Sequence, residues 1–350
     1  MMISIMGWDI GAANVKAALW ERRENQTEQV RVISKPIEIW REKDRLPDVL
    51  RSAYDFVASG APPQAMAVTM TAELSDAFSA KREGVRFILD SLTASFSDLP
   101  MYVFSLDGGF ASVETARTRP LEFAASNWLA SAKWIAKRIP NCLLIDVGST
   151  TTDILPIVNG QVRVAGRTDL ERLASGELVY TGVLRTNVAA IVSSVPVAGR
   201  FCRVASEYFA VSGDVHLILG TLSPAQYACA TPDGRPASVE TARGRLARLV
   251  CADAETLSAV EIDEMARYVW MQQVRQICEG IGQVISRFPS LRVQPVIIIG
   301  SGSFLGAAAA GNMGLTIAKS SGELGQEQLA VAPCIAAAQL LAEHLKEKVL

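Results

Sequence analysis

The 350-residue chain has only two histidines, His216 and His344, and none of its six cysteines forms a Cys-x-x-Cys pair. The first shortage turns attention from histidine-based catalysis toward carboxylate or metal chemistry. The second excludes a zinc ribbon and a thioredoxin-type motif. His216 reads as part of a strand, DVHLILG, and His344 as a surface position on an amphipathic terminal helix. The scattered cysteines suit reduced, buried residues of a cytosolic protein. Neither sign of charge is in excess: 34 Lys+Arg stand against 36 Asp+Glu, a net of −2. That balance argues against nucleic acid or a membrane surface held by bulk charge, and the arginines from Arg243 to Arg248 read as a solvated helix face. No apolar run is long enough to suggest a membrane span, since the segment 296–318 is broken by Gly, Ser and Asn. The opening MMISIMGWDIG lacks a basic region and meets Asp9 early, so it reads as a first strand rather than a signal peptide. A cytoplasmic location is the expectation.

What is present is a long, 49% hydrophobic chain carrying an internal repeat. Residues 5–20, IMGWDIGAANVKAALW, and 143–158, LLIDVGSTTTDILPIV, share one design. In each, an apolar strand runs into Asp-x-Gly, a short polar turn and a second apolar strand, the pattern of a β-hairpin. Two distant copies imply two α/β domains, 1–140 and 141–325, the first closed by a segment over 326–350. Spacing predicts a strand over 29–39, helices over 46–58 and 81–96, short strands at 66–71 and 101–105, and an amphipathic helix over 121–139. After the second hairpin it predicts a strand over 161–165 following the Asn159-Gly160 turn, and a helix-compatible stretch over 187–194. An irregular insert followed by a short helix over about 223–256, a long helix over 261–287, a strand–Gly turn–helix over 296–310 and a closing helix over 331–347 complete the reading. This order suits mixed sheets flanked by helices.

The chemistry is concentrated in the turns. In Asp9-Ile10-Gly11-Ala12-Ala13-Asn14-Val15-Lys16, successive backbone amides of small residues can cradle phosphate oxygens. Gly11 permits close approach, Asp9 can hold Mg²⁺ beside the phosphate, and Lys16 either adds charge or lies on the outer strand face. The second loop, Asp146-Val147-Gly148-Ser149-Thr150-Thr151-Thr152-Asp153, repeats this with hydroxyl donors, and Asp146 and Asp153 are candidate metal ligands or catalytic carboxylates. Gly300-Ser301-Gly302-Ser303 follows a strand and opens a helix, where small residues let a helix N-terminus approach a phosphorylated ligand. In TMTAELSD, Glu73 and Asp76 follow a buried strand and could line a ligand site as catalytic carboxylates. An N-cap at Thr71 with an acidic first turn is an equal reading. Asp107-Gly108-Gly109 reads as a turn and Trp128 as core, while Asn127 fits either role.

The paired hairpins and the late Gly-x-Gly loop together resemble the actin, Hsp70 and sugar-kinase superfamily. The stretches GWDIGAANVKAA, TMTAELSDAF, AASNWLASAKWIA, LLIDVGSTTTDILPI and GELVYTGVLRT, with PDGRP at 232–236, are similar to the hydantoinase A/oxoprolinase group. Within it they resemble the tetrahydromethanopterin-linked one-carbon pathway proteins, which include the synthase of methanofuran biosynthesis. PDG stands where that family's pattern has ADG. The resemblance implies a two-domain actin-like (ribonuclease H-like) fold with a cleft between the domains. It also implies a transferase joining an aminomethylfuran-methyl diphosphate to the phenol of a tyramine or tyrosine derivative, with release of diphosphate. On that reading Gly11, Ala12, Asn14, Lys16, Gly148, Ser149, Thr150, Thr151, Gly300, Gly302 and Ser303 hold phosphate. Asp9, Asp146 or Asp153 holds Mg²⁺, and Glu73 or Asp76 takes the phenol proton. ATP or ADP is compatible with the loops but not required, and a homodimer is allowed. Two alternatives stay open: a small-molecule kinase or ATP-dependent amidohydrolase of the same fold, and a non-catalytic nucleotide-binding actin-like protein.

Overall fold

A computed structural model of the chain describes residues 2–23, 27–58, 62–318 and 332–347. Of the expected closing segment, 326–331 and 348–350 lie outside the described residues. The chain divides into two units: Met1–Asn141 with Ile157–Val162 and Gly322–Leu350, and Cys142–Pro156 with Arg163–Ser321.

The first unit is built on strands β1 (Met2–Ile10), β2 (Asn14–Arg23), β3 (Gln29–Pro36), β4 (Ala65–Met70), β5 (Met101–Phe104) and β6 (Phe110–Ser112), in the spatial order β3-β2-β1-β4-β5-β6. β1, β4 and β5 run parallel, and the outer pairings are antiparallel. Both faces of β1 are covered, so it reads as a continuous apolar run rather than an alternation. Met6, Trp8 and Ile10 pack with Leu50 and Ala53 of α2 (Leu46–Val57) and Ile88 and Leu89 of α3 (Lys81–Ser95). Ile5 points the other way, against Ala337, Ala338 and Leu341 of the helix Ala332–Glu347. Short helices α1 (Ile39–Glu42) and α4 (Val113–Thr118) follow β3 and β6.

Two expectations in this unit need correction. The helix expected over 121–139 is confined to α5 (Asn127–Ala136), because Ala125 takes a positive φ of 50° and interrupts the run. It is also buried on nearly every side, so its apolar spacing does not mark one wet face. His344 is half-buried with its ring 5.6 Å from that of Phe110, not a surface residue.

A second sheet has β7 (Cys142–Val147), β8 (Thr152–Val158), β10 (Leu178–Val179) and β13 (Val296–Ile299) in the order β10-β8-β7-β13, with β9 (Gln161–Val162) on β8; the end of β8 and β9 count with the first unit, and the rest of this sheet lies in the second. β11 (Ser194–Val197) and β12 (Arg200–Arg203) form a separate hairpin. Helices α6 (Asp169–Ser175), α7 (Val188–Ile191), α8 (Ser212–Ile218), α9 (Val239–Arg248), α10 (Ala259–Arg287) and α11 (Ser303–Asn312) complete the second unit. The Asn159-Gly160 turn has φ of 54° and 72°, as a tight primed hairpin turn requires. The strand after it stops at Val162, and the Ala165 amide donates to the buried Glu177 carboxylate at 2.7 Å instead.

His216 lies in α8, not in a strand. Every residue from Ser212 to Leu217 is buried, which erases the periodicity that separates short helix from strand. The arginines of α9 are not a solvated face either. Arg245 is fully buried against Asp214 at 2.7 Å and Asp233 at 3.0 Å, and Arg243 pairs with Asp263 at 2.9 Å. Among the described residues all cysteines are free, Cys142 and Cys334 are buried, and Cys251 is exposed. No described helix is long and apolar enough to cross a membrane.

Gly7 shows how tightly the first unit closes: a Cβ there would lie 1.9 Å from the Cys334 carbonyl oxygen. Gly7→Val should lower the unfolding midpoint of the transition that includes β1, at a cost of about 3 kcal/mol from overpacking. A urea titration followed by tryptophan fluorescence checks this, and an unchanged midpoint would contradict the packing.

Candidate functional site

β1 and β4 run parallel with Ile10 opposite Met70, and the Thr71 amide donates to the Ile10 carbonyl at 2.9 Å. The Asp9 hairpin and the Thr71–Asp76 segment therefore leave the sheet at one edge, the carboxyl edge at which open α/β sheets bind ligands. The hairpin turn closes through Gly11 N–H to Asn14 O at 3.0 Å. Its next carbonyls are tied from behind: Ala13 O accepts from Ile37 at 3.1 Å and Ala12 O from Ile39 at 3.0 Å. Among the described residues, the amides of Ala12 and Ala13 donate to no protein acceptor. Asp9 is buried opposite Lys16, whose Nζ stands 3.7 Å from Asp9 Oδ2, so Lys16 shares the site face. Asp9 also lies by the first turn of the helix Ala332–Glu347. Burial, and after it the Asp9 charge, push the Cys334 thiol well up.

Glu73 and Asp76 part company. Glu73 is buried in the short turn Ala72–Leu74 beneath α3, where a Cβ on Gly84 would come 2.5 Å from Glu73 Cα. Asp76 is exposed, and Thr71 makes no side-chain cap bond. At the neighbouring strand end, Asp107 accepts the Gly109 amide at 2.9 Å, and Lys133 donates to Gly108 O at 2.8 Å. Burial holds the Lys133 ammonium below its usual range, with Asp107 opposing. Trp128 is core, and Asn127 accepts the Trp128 amide at 2.8 Å through its own side chain.

The second hairpin repeats the first. Gly148 N–H donates to Thr151 O at 2.8 Å, and the carbonyls behind the turn are again occupied. Val183 donates to Gly148 O, and Leu184 and Arg185 both donate to Ser149 O, each at 3.0 Å. The amides of Ser149 and Thr150 donate to no protein acceptor among the described residues. Gly182 lies directly against this turn, since a Cβ on it would fall 2.5 Å from Thr150 N. Asp146 is half-buried with its Oδ1 2.5 Å from where a Gly300 Cβ would stand, and Gly300 takes φ of 90°. Gly302 N–H bonds Val147 O at 2.9 Å, which seats the start of α11, including Ser303, at the end of β7.

Asp153 stands apart from these groups. Arg172 donates to its Oδ1 at 2.5 Å, and Arg172 is itself buried beside Asp169 and the Glu177 carbonyl. Burial raises the Asp153 carboxyl against the pull of Arg172. The pair ties β8 to α6. Among the described residues no group of three or more His, Cys, Asp or Glu could hold a metal ion. Mg²⁺ beside a phosphate ordinarily takes only one or two protein carboxylates. Asp9 in the first unit and Asp146 in the second are each a single carboxylate at the end of a strand, whereas Asp153 is taken by Arg172.

Gly182 and Arg185 escaped the sequence reading. Both lie in GELVYTGVLRT, where a glycine after a strand-like run marks a close backbone approach.

Comparison with known proteins follows from this geometry. Residues 64–344 match the family model described as hydantoinase/oxoprolinase. The chain is 35% identical over 346 residues to the (4-{4-[2-(gamma-L-glutamylamino)ethyl]phenoxymethyl}furan-2-yl)methanamine synthase of Methanocaldococcus jannaschii, covering 99% of each. It is 36% identical over 172 residues to the Methanococcus vannielii protein of the same name, covering 49% of this chain and 76% of that one. Among solved structures, nucleotide-free acetone carboxylase superposes with a TM-score of 0.55 at 10% identity, covering 97% of this chain and 70% of the other. That likeness bears on fold alone and agrees with the expected actin-like α/β architecture.

His216 provides a direct check on the packing behind the second hairpin. Burial lowers it from 6.5 to about 4. The unfolded chain takes up this proton below pH 6.5 and the folded chain only near pH 4. Its contribution to stability is therefore intact above 6.5, falls as pH drops toward 4, and then levels off, a loss of about 3 kcal/mol. His216→Gln should flatten that limb. Urea midpoints at pH 7 and pH 4.5 measure it, and equal pH dependence in both proteins would contradict the burial.

Proposed function

The chain belongs to the hydantoinase/oxoprolinase family, and on that premise we propose that it is a synthase of methanofuran-type cofactor biosynthesis, each of whose hairpins is an anion-binding turn of the kind a leaving diphosphate needs. The observation that carries this reading is the repeated turn geometry, with carbonyls tied behind and amides of Ala12, Ala13, Ser149 and Thr150 left for a ligand. The full-length identity to the Methanocaldococcus synthase supports the substrate class.

The proposed reaction joins an aminomethylfuran carrying a diphosphate on its hydroxymethyl group to a phenol. The furan-methyl carbon–oxygen bond breaks with its electron pair going to diphosphate. The phenol oxygen forms the new ether bond and loses its proton. The ring oxygen of the furan stabilises positive charge at the reacting carbon, so the protein's main task is to stabilise the departing anion. Backbone amides and the hydroxyls of Ser149, Thr150 and Thr151 do this without reorganising. Lys16 adds charge to the first loop, and Arg185, anchored by its amide on Ser149 O, adds charge to the second. Bound Mg²⁺, held by Asp146 or Asp9, would neutralise charge on the diphosphate. Glu73, the buried carboxylate at the β4 edge, is a better base for the phenol proton than the exposed Asp76.

The test incubates the protein and Mg²⁺ with the furan diphosphate and tyrosine, tyramine or glutamylated tyramine, with and without ATP. Diphosphate and aryl ether should appear in equal amounts without ATP. Turnover only with ATP would favour a kinase or ATP-dependent amidohydrolase, and no release with any phenol would overturn the synthase reading. Asp146→Asn should lower turnover by about a hundredfold or more with an unchanged melting temperature. Activity like that of the unaltered protein would remove Asp146 from the site.

A further inference from the structure

Behind the second hairpin lies a run of buried polar side chains that the proposed chemistry does not use. Gln273, fully buried on α10, donates from Nε2 to Gly182 O at 2.7 Å and to Thr181 Oγ1 at 3.0 Å. A carbonyl can only accept, so the Gln273 amide is oriented with Nε2 toward Gly182 and Oε1 toward His216. His216 Nε2 lies 3.1 Å from Oε1 and must therefore carry the hydrogen. Its Nδ1 is then the acceptor facing Thr221 Oγ1 at 3.2 Å. Thr152 Oγ1 closes the run by donating to Thr181 O at 2.7 Å. The His216 ring meets the Phe304 ring edge-on at 4.9 Å, one residue past the Gly300–Ser303 turn.

We propose that the His216–Gln273 pair is a positioning device that sets the two ligand turns of this unit. Gln273 fixes Gly182, Gly182 packs on the Thr150 backbone, and the next three residues cap the carbonyls of Gly148 and Ser149. Through Phe304, His216 steadies the start of α11. Released, the 182–185 segment would give those carbonyls back to the turn, where they repel an anion. His216 holds Gln273 as a neutral donor, and its burial keeps it neutral across the ordinary pH range. The proposal rests on reading the turn as an anion cradle, and its test separates the two.

Hydrogen exchange of the ligand-free protein should show faster exchange in 146–151 and 182–186 for Gln273→Met and His216→Leu. The β11–β12 hairpin and the β1–β2 turn should be unaffected. His216→Gln, which keeps a neutral donor, should restore slow exchange. Affinity for inorganic diphosphate with Mg²⁺ should fall about five- to tenfold in the first two variants, on the scale of one lost buried hydrogen bond, and recover in the third. Unchanged loop exchange in Gln273→Met, or equal acceleration across the whole unit, would overturn the positioning role. Failure of the unaltered protein to bind diphosphate would instead overturn the functional reading and leave exchange to decide this one.

Discussion

A backbone turn can offer its amides to an anion only if something else takes its carbonyls, because carbonyl oxygens in the same turn repel what the amides attract. Both hairpins meet this condition in the same way. In the first, the chain after β3 returns to bond Ala12 and Ala13 from behind. In the second, the 183–185 segment bonds Gly148 and Ser149. The rest of each unit serves this arrangement: a sheet whose central strand is buried on both faces and ends in Asp-x-Gly, and a following segment brought back to the turn.

Glycine sets how close these supporting segments come. At Gly182 and Gly300 any side chain would strike the backbone or carboxylate it supports, within 2.5 Å. At Gly7 the constraint is on closure of the helix over the sheet, which brings the helix's first turn toward Asp9. The carboxylates divide by environment. Asp9 and Asp146 sit where their strands run out into the turns, Glu73 is buried at the β4 edge, and Asp153 is given over to Arg172. Lys133, held at the end of β5 by Gly108 O, marks the same edge of the first sheet.

Much of this was legible in the sequence. The hairpins, the strand–turn–helix at Gly300 and the long helix α10 announce themselves by local pattern, since each depends on residues near in sequence. What was not legible depends on tertiary burial. His216 lies in a helix because α8 is enclosed on all sides, so no wet face remains to show a helical period. Arg245 looks like a solvated charge until Asp214 and Asp233 are brought to it from distant segments. Asp153 looks like the partner of Asp146 until α6 supplies Arg172. Gly182 and Arg185 matter to the second loop only because the chain returns to it thirty residues later.

The central claim is that the amides of Ala12, Ala13, Ser149 and Thr150 are the anion-binding groups. Amide NMR of the isotope-labelled protein, titrated with inorganic diphosphate and Mg²⁺, tests it most directly. The account expects saturable downfield shifts of those amide protons, larger than at the tied amides of Ile37 and Val183. Binding that leaves them unmoved and shifts amides elsewhere would contradict it.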